Sequence, residues 1–136
     1  MNIQRFSLSI LGAFIFIFVF EFTWHGFLMK GLYDATITVW RPQEESNMLY
    51  IFASQFLFAV VFAYIYTLIG KQIACKRGIA FGFFAGLLLA MPQLGTYCYL
   101  PIPLTISLLW MLAAFLKCLG AGIVIAAIYN ASPQPG

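Results

Sequence analysis

The sequence predicts an all-α integral membrane four-helix bundle, and three observations carry that reading. First, 63% of the 136 residues are hydrophobic and only 8% are charged, against about 25% charged in a soluble domain. Second, four apolar runs each approach the ~20 residues that a helix needs to cross ~30 Å of hydrocarbon. Third, short polar or proline-containing stretches separate those runs. Seven basic and four acidic residues cannot cover a soluble globule of this size, whereas lipid tails solvate Leu, Phe and Ile directly. A soluble enzyme is thereby excluded. The formal charge of +3 is too small and dispersed for the basic stripe of a nucleic-acid binder, so no nucleic-acid partner is expected.

The chain reads as one transmembrane domain, 1–136, with spans at about 6–25, 48–69, 78–99 and 104–129. The first span follows Arg5, has no small-x-small cleavage pattern and ends in Glu21-Phe22-Thr23-Trp24, so an uncleaved helix rather than a signal peptide is expected. An outer loop at 26–47 comes next. It keeps Phe27, Leu28, Leu32, Ile37 and Val39 among polar residues, so the first helix is expected to continue to about Leu32 before bending. Trp40-Arg41-Pro42-Gln43-Glu44-Glu45 stops it by charge and proline. The second and third spans are separated by the turn from Gly70-Lys71 to Lys76-Arg77, and the third and fourth by the Pro101/Pro103 corner.

Orientation follows from basic residues in short loops. Arg5, Lys71, Lys76 and Arg77 fall on one side, Lys30 and Arg41 on the other. The first group predicts both termini in the cytoplasm. Trp24, Trp40, Tyr97 and Tyr99 then sit at the outer boundary, where amphipathic rings favour the headgroup layer.

Small residues recur every four positions as Gly78, Gly82, Gly86 and Ala90 in the third span, and as Ala114, Cys118, Gly122 and Ala126 in the fourth. Such stripes let two backbones approach closely where no hydrophobic effect drives association. Helices three and four should pack through them, most tightly in the cytoplasmic half.

Polar residues gather above that half. Glu21 and His25 on the first span, Gln55 on the second, and Gln93 with Tyr97 on the third share a depth ~5 to 15 Å below the outer edge at 1.5 Å per residue. Glu21 and His25 are four apart and share a face, as do Gln93 and Tyr97. Pro92 frees a backbone carbonyl beside Gln93. Interhelical glue and a ligand or ion pocket both fit this pattern. Lys117 is the deepest charge and an unpaired ammonium there is costly. Its partner is either Glu21, provided the first helix extends past His25, or a group on another subunit.

Several chemistries lack their residues. Cys75, Cys98 and Cys118 form no Cys-x-x-Cys pair. A single histidine, His25, supplies neither a bis-histidine haem nor a usual zinc or copper site, so no metal site is expected. Phe14, Phe16, Phe18, Phe20 and Phe22 surround the first helix rather than forming a stripe, which suits lipid or protein contact and implies no cofactor. With no Ser-His-Asp set or paired carboxylates, the chain does not read as an enzyme.

The stretch His25-Gly26-Phe27-Leu28, through Leu32-Tyr33 to Trp40-Arg41-Pro42, followed by three more short spans, resembles a group of small bacterial inner-membrane proteins with no assigned activity. That resemblance covers most of the chain and implies a multi-pass protein of the bacterial inner membrane. A fainter one is to the small multidrug resistance transporters, four-helix proteins with a membrane glutamate in the first helix. It implies a coupling role for Glu21. This chain departs from them in its longer outer loop, its charge bias and Lys117. Two functions stay open. The first is an accessory subunit that packs in lipid against a larger membrane partner or its own copies, docking by its first loop and its Asn130–Gly136 tail. The second is a small transporter or ligand-binding bundle built around Glu21.

Overall fold

The computed structural model describes residues 2–69 and 74–130, and within them every regular element is helical. Helix α1 (Ile3–Thr23) leads into a π-helical turn (Trp24–Leu28) and the short α2 (Lys30–Asp34). Two 3-10 turns, Ile37–Val39 and Gln43–Glu45, bring the chain to α3 (Met48–Leu68). Helix α4 (Ala74–Gly95) ends in a 3-10 turn at Thr96–Cys98, and α5 (Leu104–Tyr129) follows the proline corner. Among the described residues four stretches are long and apolar enough to cross a membrane: Ile3–Leu28, Met48–Leu68, Lys76–Cys98 and Leu104–Tyr129.

Local chemistry sets the ends. Asn2 accepts the Arg5 N–H and Asn47 accepts the Leu49 N–H, each satisfying one orphan donor of a first turn. Pro103 precedes α5, where its missing N–H costs nothing, and Ile106 N–H bonds its carbonyl at 3.0 Å. Of the expected inner turn, 70–73 lie outside the described residues, whereas Lys76 and Arg77 stand in the first turns of α4 rather than in a turn.

Helix α5 is the hub. It packs on α4 and α1, while α3 leans chiefly on α1. Ala13, Ile17, Ala59, Phe62, Cys118, Ala121 and Ile125 form the buried centre. Where α4 meets α5 the backbones nearly touch. A Cβ added at Gly82 would stand 2.6 Å from the Cys118 carbonyl oxygen, and one at Gly122 would stand 2.9 Å from the Gly82 Cα. No side chain fits there without separating the helices. Gly86 faces Phe115 rather than Ala114, because a stripe of four-residue steps drifts about 40° per step on a 3.6-residue helix. Ala114 is nonetheless buried.

The first helix, expected to continue past residue 25 to about Leu32, bends earlier, at Met29. The helix runs on to Leu28, and the following turns fold across the end of α5. Met29, Ile102 and Ile106 form a second small core, covered by Trp24, Tyr33, Trp40 and Trp110. Leu32 and Val39 thus find protein to pack against, whereas Phe27, Leu28 and Ile37 stay about two-thirds exposed. At the opposite end, the Arg5 guanidinium donates to the carbonyls of Ile128 and Tyr129 at 3.2 and 3.4 Å, a cation at the negative end of α5. Residues 131–136, the tail expected to dock on neighbours, lie outside the described set.

Two faces of the bundle follow from this topology. The loop face carries α2 and the proline corner; the terminal face carries Arg5, Lys76, Arg77 and Asn130.

Candidate functional site

The π-helical turn shapes the site. Met29 N–H reaches back five residues to the Trp24 carbonyl at 2.9 Å, absorbing one extra residue. In an unbroken α-helix the eight residues from His25 to Tyr33 would leave them about 80° apart around the axis; with one residue absorbed they fall within about 20°. Their rings accordingly stack, centroids 6.0 Å apart at 14°.

Along this face lies a continuous polar chain. Lys117 Nζ meets Glu21 Oε1 at 2.6 Å, and the other carboxylate oxygen faces His25 Nε2 at 3.0 Å. His25 Nδ1 lies 2.5 Å from the Tyr33 hydroxyl, which also accepts the Trp110 indole N–H at 2.7 Å. Met29 Sδ is the remaining neighbour of that hydroxyl, at 3.4 Å. With Trp110 donating to it, Tyr33 turns its own proton to His25 Nδ1 or to this sulfur, and a proton on Nε2 then faces Glu21. Each member contacts the next.

The depth of the cluster has a geometric cause. Side chains tilt toward the N-terminus of their own helix. Helices α1 and α5 run antiparallel, so Glu21 leans toward the terminal face and Lys117 leans toward the loop face, and they converge. Lys117 also lies 5.4 Å from the centre of the Phe58 ring, a cation–π contact with α3. Exposure is lowest at Glu21, 16% for its side chain, against 24% for Lys117 on one side and 34% for His25 on the other. At the loop-face end, burial pushes the Tyr33 phenol above its ordinary pKa, the Glu21 charge adding to that and the Trp110 bond opposing it.

The six sequence candidates separate into two groups. Glu21, His25 and Lys117 come together. Gln55 lies one turn from Phe58 on α3, and its Oε1 is buried without a hydrogen-bond partner among the described residues. Gln93 and Tyr97 do not join. Tyr97 is 49% exposed, and Gln93 enters the hydrogen bonding at its backbone carbonyl, which accepts from Thr96 Oγ1 at 2.6 Å. The helix end there is tied instead by Thr96 Oγ1 and Ser107 Oγ, 3.1 Å apart. The polar pocket expected between splayed ends of α1, α3 and α4 is therefore corrected to a filled chain between α1, α2 and α5. The physical reason is which helices meet: α4 packs on α5, its end tied there through Thr96 and Ser107, whereas α1 packs on α5 and α3.

Sequence reasoning missed Tyr33 and Trp110 as parts of the site. The available signal was Tyr33 at roughly two turns beyond His25, but it becomes useful only if the π turn is known. The aromatic run on α1 serves packing: Phe14 meets Phe56 edge-on at 5.7 Å, Phe18 stacks on Phe52 at 5.1 Å, and Phe16 fills the space left by Gly120. As donors for a metal, the cluster offers Glu21 and His25, whose facing atoms already bond each other.

No family model, curated protein or solved structure matches the chain.

Proposed function

We propose that the chain is a small transport or ligand-binding bundle of a bacterial inner membrane, both termini in the cytoplasm, in which Lys117, Glu21 and His25 handle an anionic solute together with a proton. The observation that supports this is the unbroken run from Lys117 in mid-span through Glu21 and His25 to Tyr33 at the loop face. A buried ion pair is weak evidence of a stabilising device, because desolvation offsets much of its attraction. Ionisable residues inside spans more often mark ion or proton routes.

Charge bookkeeping selects an anion. Glu21 is held by its own chain's lysine, so a cationic solute would have to displace Lys117. A proton on Glu21 cancels the carboxylate charge and leaves Lys117 as an uncompensated ammonium, which a solute anion then neutralises. Loss of that proton restores the Glu21–Lys117 pair and releases the anion. No covalent bond of the solute changes in this cycle.

Reconstitution into liposomes tests it. Uptake of small carboxylate or phosphate anions should follow an imposed pH gradient, and Glu21→Gln or Lys117→Met should each abolish it. Uptake unaltered in both variants, or absent from the unmodified protein, would remove the reading.

The accessory-subunit reading draws support from a different feature. Leu8, Leu11, Ile15, Val19 and Phe22 make an outward apolar stripe along α1, each about half exposed, which a larger partner would cover as well as lipid does. Purification from native membranes in mild detergent distinguishes the two: a co-migrating larger protein with no flux by the chain alone favours the subunit.

A further inference from the structure

Helices α3 and α4 are successive in the chain yet stand apart, touching through the rings of Phe62 and Phe81 with centroids 4.5 Å apart. Beside those rings runs a gap of about 800 Å³. Val61, Ile65 and Ile69 form one wall, and Ala80, Phe84 and Leu88 the other; Arg77 stands at its terminal-face end. We infer that this gap is a binding site for one anionic phospholipid, its acyl chains lying along the apolar walls and its phosphate beside Arg77.

Length separates a lipid from a partner helix. From Arg77 to Leu89, the last lining residue of α4, the gap extends ~18 Å, and from Ile69 back to Phe58 on α3 ~16 Å, at 1.5 Å per residue. One leaflet of a ~30 Å hydrocarbon core is ~15 Å deep. The gap therefore begins at the surface and ends near mid-membrane, because Phe58 and Leu89 fall close to the middle of their spans. A transmembrane partner would need a seat across the whole bilayer. A lipid needs only this half.

Charge agrees with depth. Arg77 lines the gap where an acyl chain would meet its headgroup, and exposed Lys76 is its neighbour in the same first turns of α4. A guanidinium presents paired donors that match phosphate oxygens, and basic residues between spans are a recurrent seat for anionic headgroups. Everything else named along the walls is apolar, as acyl chains require. The gap meets the Glu21 cluster at Phe58, but its phosphate end at Arg77 lies at the opposite end, and the proposal stands or falls independently of the transport reading.

Native mass spectrometry of the full chain in mild detergent tests the assignment, with dioleoyl phosphatidylglycerol or dioleoyl phosphatidylcholine added. One phosphatidylglycerol should be retained at about tenfold lower concentration than phosphatidylcholine. Arg77→Gln should erase the preference, and Ala80→Trp, an exposed position turned into the gap, should reduce retention of both lipids. Thermal melting of each variant reports whether it folds; Phe84→Trp provides a second obstruction if Ala80→Trp does not. Equal retention of the two lipids by the unmodified protein would overturn the proposal. So would equally tight binding of dihexanoyl phosphatidylglycerol, displacement by millimolar inorganic phosphate, or a co-purifying protein that the Trp variants release.

Discussion

The Tyr33 hydroxyl lies 2.5 Å from His25 Nδ1 because the Met29 N–H bonds the Trp24 carbonyl five residues back. That single irregular turn carries the first span's polar face out to the loop face and hands it to Trp110 on α5.

Tyr33 should be a late-ionising tyrosine. Its raised pKa means that the folded state keeps the phenolic proton longer than the unfolded state does. The contribution to stability is complete below the ordinary tyrosine pKa of ~10 and is lost as pH rises through the folded value. Alkaline titration followed by tyrosinate absorbance should show one transition fewer at the high end in Tyr33→Phe. The same spectrum with and without Tyr33 would refute this.

Glu21 and Lys117 should show coupling. Glu21→Gln leaves an ammonium in mid-span and should lower stability by about 3 kcal/mol, whereas Glu21→Gln combined with Lys117→Met should recover part of that loss. Thermal or denaturant unfolding in detergent measures the cycle; strictly additive losses would contradict the pairing.

At the α4–α5 contact, Gly82→Leu should cost a few kcal/mol, since the added side chain meets the Cys118 and Leu119 backbone at once. Gly95→Ala is the control, with nothing near its Cβ position. A variant at Gly82 melting with the parent protein would argue against close packing.

Orientation is open to labelling. In a variant with Cys75, Cys98 and Cys118 changed to alanine, a cysteine at Gln43 should react with an impermeant maleimide applied to intact cells, and one at Lys76 should not. The opposite pattern would place the loop face in the cytoplasm.

Much of the architecture was legible because a membrane simplifies the code. The four apolar runs, the proline corner and the glycine stripes each express a requirement that acts locally along the chain: span the hydrocarbon, end a helix, permit backbone approach. The candidate site was legible in part. Glu21, His25 and Lys117 stood out because charge inside a span is costly wherever it falls. Gln93 and Tyr97 looked equivalent by depth, yet depth says nothing about azimuth or about which helices touch at that level.

By itself, then, the sequence determined an all-helical chain with four membrane-length spans, the α4–α5 glycine contact and the need for Lys117 to find a partner. Tertiary structure alone decided that the partner is Glu21, that a π turn brings Tyr33 under His25, and that Trp110 closes the chain from α5. It also decided that α3 and α4 stand apart around an apolar gap. The physical reason is range. Hydropathy and backbone breaks are properties of neighbouring residues, whereas side-chain partners depend on the rotation and spacing of helices, which one absorbed residue shifts by about 100°.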